Sequence, residues 1–234
     1  DSLRIIESGG RQRIGVDDKG VSPLHSLINA RQEMFDNVYW HHTNRACMAM
    51  LLRAVQEAVI AGMPVADLTL HDDASLLAAL ARPEMPEPSR RLVAGLTERR
   101  LHKRAVEISA RSGQLYHWLD TLFDDPMARR EQEDRMADAL RKETGLAVRP
   151  GDILIDIPKP ERWRTDVWVA FRDPPVGYSS IMSWLEVAGV SDENLKRYEA
   201  HRRLIRVVAV EALRDAVRTR WDRLLLPLMS GSRP

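Results

Sequence analysis

The stretch Leu27–Ala46 carries the densest set of chemically capable side chains in this sequence: Arg31, Tyr39, Trp40, His41 and His42. An arginine presents a planar fork of donors that matches phosphate oxygens. Tyr39 and Trp40 offer flat faces on which a sugar or a base can lie. Packing is the competing explanation, because aromatics at helical spacing usually fill a core, and Arg31 could pair with Glu33 or Asp36. A second basic stretch, Thr97–Ala105, contains Arg99 and Lys103; it reads as a helix face that either meets an anion or is simply solvated. His71-Asp72 pairs suitable metal-ligand chemistries. Asp72 and Asp73, however, stand where a helix begins, one as its cap and one as a favourable charge on the positive end of its dipole, so no metal site is assigned within the chain. Cys47 lies between Ala46 and Met48 and reads as a small buried hydrophobe. No nucleophile elbow, phosphate-binding glycine loop or dinucleotide fingerprint occurs.

The composition limits the partners these residues can have. With a net charge of +1, the chain has no general pull toward nucleic acid or a membrane surface, so an anion site must be a local cluster of cations. One cysteine among 234 residues rules out an intrachain disulfide, and a reducing, cytoplasmic setting is expected. No apolar run approaches the roughly 20 residues that span a bilayer, and no signal peptide is evident. The start at Asp1-Ser2-Leu3-Arg4 lacks a methionine and enters mid-pattern, as a fragment or processed chain would.

Hydrophobic periodicity supplies the elements that hold these groups. Residues 1–21 read as a hairpin-like opening segment turning at Gly9-Gly10. Ser22-Pro23 opens a helix, and apolar residues at helical spacing continue to Val59, with a break near Asp36-Asn37. Further helices are expected over Ala74–Ala81, over Arg90–Ala110, and over Pro126–Glu143, the last ending at Gly145. Beyond Pro150-Gly151 the texture becomes β-branched. Asp152–Ile157, Asp166–Phe171 and Leu204–Ala209 read as strands, with helical stretches near Ser180–Val187 and Asp192–Ala200 and a final helix over Val210–Leu226. The expected fold class is mainly α: a helical region over 22–149, then a small antiparallel-sheet α+β region over 150–234.

Three ordered segments resemble the carboxyl-terminal half of HD-domain phosphohydrolases of the deoxynucleoside-triphosphate triphosphohydrolase type. The first, Arg31, Met34-Phe35, Val38-Tyr39 and His41, is similar to the family pattern R-x(3)-[MLH]-x(3)-[VA]-Y-x-H. The second, Arg99-Arg100-Leu101-His102-Lys103-Arg104, is similar to R-x-L-[YF]-K-[RY]. The third is Gly151–Pro158 together with the later Arg203–Val208. The resemblance implies that Arg31 grips a substrate phosphate and that Tyr39 packs on the deoxyribose. It places Trp40 and His41 beside the substrate, although a tryptophan at position 40 departs from the polar residue of some relatives. It places Arg99 and Lys103 at a regulatory nucleotide between subunits of a homo-oligomer. It further implies a divalent metal ion held by an H…HD…D set outside this chain, and a deoxynucleoside triphosphate as substrate. Two other readings remain open: a non-catalytic nucleotide-binding or assembly module, and an HD hydrolase acting on a signalling nucleotide.

Overall fold

A computed structural model of the chain describes residues 2–8, 10–159 and 166–231. The chain opens on an antiparallel hairpin, β1 (Leu3–Ser8) with β2 (Arg11–Asp17), in a register that sets Leu3 opposite Val16. A 3-10 turn at Asp18–Gly20, capped by the Asp17 carboxylate, leads directly into α1 (Val21–Met34). The helix thus starts one residue before Ser22 and needs no serine cap, because the turn already supplies its first carbonyls. A π-helical turn, Phe35–Tyr39, then precedes α2 (His42–Ile60). α3 (Asp73–Leu80) has the expected acidic cap: Asp72 and Ser75 bond each other's backbone N–H reciprocally.

The expected helix over Arg90–Ala110 does not form as one element. α4 (Glu87–Thr97) ends early, and Lys103–Ile108 is a strand, β3. Arg100 N–H bonds back to the Gly95 carbonyl at 2.8 Å, and Arg99 takes φ of 58°, which turns the chain out of the helix. A register shift between Arg104 and Val106 spoils the alternation that would have marked a strand. α5 (Gln114–Thr121) has no counterpart in the sequence reading. α6 (Pro126–Thr144) runs from its Asp125 cap to Gly145 in the left-handed conformation, φ 70°, as expected. β4 (Ile153–Asp156), β5 (Trp168–Ala170) and β6 (Ile181–Ser183) follow, then α7 (Trp184–Val187), α8 (Asp192–Arg202) and β7 (Ile205–Ala209). The expected helix near Ser180–Val187 is therefore a strand and a single helical turn. The expected final helix over Val210–Leu226 is divided into a 3-10 turn, α9 (Arg214–Arg218) and α10 (Trp221–Gly231). The bends let Leu213, Val217, Leu224 and Leu225 all reach the core.

Contacts divide the chain into two units, residues 1–39 with 160–202 and residues 40–159 with 203–234. Both are discontinuous, unlike the consecutive blocks 1–21, 22–149 and 150–234 suggested by sequence texture. The smaller unit is a mixed sheet in the order β1-β2-β5-β6, in which β2 and β5 run parallel. Its core joins Val16, Ile28, Val169 and Trp184.

The larger unit is built on an antiparallel sheet, β3-β7-β4, with β7 buried along its whole length. The two-residue period of β7 feeds two hydrophobic layers. Ile205, Val207 and Ala209 join Leu119, Met136 and Leu140 from α5 and α6, whereas Val208 joins Met50, Ala54, Leu80 and Leu92 from α2, α3 and α4. The fold is thus mainly helical with small sheets. Among the described residues, no helix is long and apolar enough to cross a membrane.

Candidate anion-binding site

Three pieces of the larger unit converge on one cationic cavity. The first is the start of α2, where His41 is the N-cap and its Nδ1 accepts the Thr43 N–H at 3.4 Å. The His41 and His42 rings lie 4.3 Å apart, centroid to centroid. The second is the turn between α4 and β3. Arg99 is the one described non-glycine residue at positive φ, a conformation that costs roughly 1–2 kcal/mol for an L-residue. His102 anchors this turn from below. It is buried, its N–H points at the Met50 sulfur, and its Nε2–H donates to the Gly151 carbonyl at 2.8 Å. Burial lowers the His102 pKa, so its ring is held neutral. The third piece is Arg214, at the start of α9.

His42, Thr43, Arg99, Leu101, His102, Lys103, Arg104 and Arg214 line a cavity of about 250 Å³. No carboxylate lines it. No ion pair among the described residues holds Arg99 or Lys103, whereas Arg104 meets Glu107 at 3.0 Å and Arg214 meets Asp215 at 3.0 Å. The volume falls below the roughly 300–1,000 Å³ of common small-molecule clefts. It therefore suits a small anion, or the phosphate end of a larger molecule.

A chain of ion pairs runs from this cavity into the sheet. Glu107 is shared between Arg104 and the buried Arg206, at 3.0 and 3.1 Å. Arg206 approaches Asp156 at 3.8 Å, and Asp156 accepts Arg45 at 2.6 Å. Burial raises the Asp156 pKa, against the pull of Arg45 and Arg206. Three arginines therefore face two carboxylates, leaving a positive excess beside His42. The His42 pKa is lowered, first by burial, then by His41, Arg104 and Arg206, with Glu107 opposing.

The other sequence candidates fall in both units. In the smaller unit, Arg31 and Tyr39 are joined through Phe35. The Arg31 guanidinium lies 4.9 Å over the Phe35 ring, and Tyr39 meets that ring edge-on at 4.9 Å. Spacing of four residues along α1 and the π-helical turn stacks the three on one side. Tyr39 is 46% exposed. Asp36, on the same turn, accepts the Tyr198 hydroxyl at 2.9 Å and lies 3.6 Å from Arg202. In the larger unit, Trp40 is buried at 5% exposure and His41 is exposed. The structure thus gathers Arg31 with Tyr39, and Arg99 with Lys103. His42, Arg104 and Arg214 join Arg99 and Lys103 at the cavity. Arg104 extends the basic run, and Arg214 belongs to an arginine-rich final helix that could meet an anion or be solvated; only tertiary folding brings Arg214, and not its neighbours, to the cavity.

Among the described residues, no group of three or more His, Cys, Asp or Glu could hold a metal ion. Asp72 is engaged as the α3 cap, and Asp120 pairs with Arg203 at 2.5 Å. The described residues therefore do not form a divalent-ion site.

A family model described as the HD associated region matches residues 1–176. The chain belongs to that family. This HD-associated chain is also similar to an uncharacterised protein, MJ1154, of Methanocaldococcus jannaschii, at 36% identity over 80 residues, covering 34% of this chain and 18% of that protein. A hypothetical protein from Aquifex aeolicus has a similar structure, with a TM-score of 0.55 and 16% identity over 94% of this chain and 49% of that one. A phosphohydrolase from Bacteroides thetaiotaomicron, BT4208, gives a TM-score of 0.50 and 12% identity over 88% and 54%. At such identities the structural likeness shows a shared fold. The chain spans about half the length of the two solved structures and under a fifth of the M. jannaschii protein.

Proposed function

We propose that this chain is the nucleotide-gripping part of an HD-type, metal-dependent hydrolase of (deoxy)nucleoside triphosphates, with the H…HD…D ligands outside it. The observation that carries the reading is the cavity, lined by no carboxylate, in which Arg99 and Lys103 have no ion-pair partner among the described residues. Unpaired cations converging on a concave surface are what a polyphosphate requires. Family membership and the fold shared with a phosphohydrolase support the hydrolase class. In this reading Arg99 and Lys103 hold a regulatory nucleotide in a homo-oligomer.

Arg31 and Tyr39 are assigned to the substrate. The guanidinium, steadied over Phe35, neutralises charge on the polyphosphate as it spreads onto phosphate oxygens during reaction. Tyr39, half-exposed and braced edge-on, lies against the sugar and disfavours a 2′-hydroxyl. The metal would supply polarisation of phosphate and an activated water; this chain's residues bind and orient.

The test is turnover of a panel of deoxy- and ribonucleoside triphosphates by the full-length protein and its Arg31→Ala variant. Loss of one charge-stabilising donor typically costs about 10²–10³ in turnover, and that loss is expected. Near-wild-type turnover by the variant removes Arg31 from the site. Nucleotide binding without any hydrolysis by the full-length protein would make it a binding module instead, and hydrolysis confined to cyclic or oligonucleotides would redirect the substrate class.

A further inference from the structure

The cavity is lined by the cationic side chains Arg99, Lys103, Arg104 and Arg214 and by His102, which burial holds neutral. His42 differs. It is the first residue of the 19-residue α2, its ring lies tilted against His41 at 4.3 Å, and no ion pair joins it to a carboxylate among the described residues. The groups facing it are His41, Arg104 and Arg206, all able to carry positive charge, and Glu107. Glu107 is already shared between Arg104 and Arg206, so little of its charge is left for His42. The positive end of the α2 dipole adds to the same field.

Resting on the reading of this cavity as an anion site, we propose that His42 is its proton-accepting binding residue: a phosphate-bearing anion enters together with one proton, which His42 takes up. Without an anion, burial first and the surrounding cations second disfavour another positive charge at this spot, consistent with the lowered pKa of His42. With a polyanion seated among Arg99, Lys103 and Arg104, the nearest charge to the imidazole becomes negative and favours the protonated ring. The sign follows by linkage. A group whose pKa is higher in the bound than in the free state strengthens binding as pH falls through the window between those two values. Affinity then changes by up to roughly tenfold per pH unit there, and the dependence vanishes once the ring is charged, or neutral, in both states. The site would hold its anion most tightly under mildly acidic conditions and release it as pH rises, a behaviour the four cations alone could not give.

Calorimetric titration of the full-length protein with inorganic tripolyphosphate between about pH 5.5 and 8 tests this, run in two buffers of different ionisation enthalpy to count protons. His42→Lys supplies a fixed charge, and His42→Gln supplies none. The ligand's own titration is common to all three proteins and cancels. Wild type is expected to take up close to one proton more than His42→Lys and to lose affinity more steeply with rising pH. His42→Gln should bind weakly at the acid end, with the shallower slope. Histidine side-chain NMR shifts, with and without tripolyphosphate, give an independent readout. If all three proteins bind with the same slope and the same proton count, the proton uptake by His42 is wrong while the anion site stands. If none of them binds tripolyphosphate at any pH, the anion site is wrong and the inference falls with it.

Discussion

Replacing Arg53 with methionine leaves one buried carboxylate without its charged partner, and the structure gives the size of the effect. Arg53 is 2% exposed and donates from Nε to Glu57, from Nη1 to Glu133 and from Nη2 to Asp134, each at 2.6 Å. The three acids do not lose equally. Glu57 keeps Arg130 at 2.7 Å, and Asp134, partly exposed, keeps Arg130 at 3.5 Å. Glu133, 3% exposed, keeps the Ile155 N–H at 2.9 Å and no ion pair among the described residues. Breaking a buried pair from one side costs about 3–5 kcal/mol. For a unit of this size, that is a fall in Tm of roughly 10 °C.

The pH dependence follows from the same geometry. Burial already raises the Glu133 pKa, with Arg53 pulling it down; without Arg53 it rises further. A carboxylate whose folded pKa lies above its unfolded value destabilises the fold more as pH rises through that folded value. The gap between Arg53→Met and wild type should therefore widen from pH 5 to pH 8. Urea denaturation at both pH values measures it. Arg53→Met with Glu133→Gln should recover much of the loss, because an amide needs no counter-charge. A single-variant loss under about 1 kcal/mol, or no recovery in the double variant, would refute the assignment of the cost to Glu133.

Other outcomes follow from single positions. Arg99→Gly removes a cation and also the positive-φ penalty, so Tm should hold or rise while tripolyphosphate affinity falls at least about threefold, as expected for loss of one phosphate contact; unchanged affinity would remove Arg99 from the cavity's function. Gly15→Ala would place a Cβ 2.2 Å from Ile6 Cδ1 and 2.5 Å from the Trp168 carbonyl. The parallel β2–β5 pairing should then loosen, with a loss of about 1–3 kcal/mol and faster amide exchange at Trp168–Ala170, and protection equal to wild type would contradict the packing. Tyr39→Ala should relax deoxy-versus-ribo discrimination in turnover assays of the full-length protein; an unchanged ratio counts against the sugar contact.

Features that a few neighbouring residues settle were legible in the amino-acid order. The Asp72–Ser75 capping box, the Asp125-Pro126 start of α6 and its Gly145 stop are all local bargains between side chains and the nearest backbone groups. So are the hairpin turn and the β-branched runs of β4, β5 and β7. The Arg31–Phe35–Tyr39 row was not legible there: a break was expected at Asp36-Asn37, where the chain instead continues as a π-helical turn. Tertiary structure decided the rest, because contacts between distant segments outweigh local preference. Lys103–Ile108 is short and apolar enough to be helix or strand, and pairing with β7, a hundred residues later, chooses strand. The same pairing turns Arg99, Lys103 and Arg104 from an apparent helix face into the wall of a cavity. His42 and Arg214 complete that cavity from 57 residues before Arg99 and 110 residues after Arg104, separations at which no sequence period carries information about proximity.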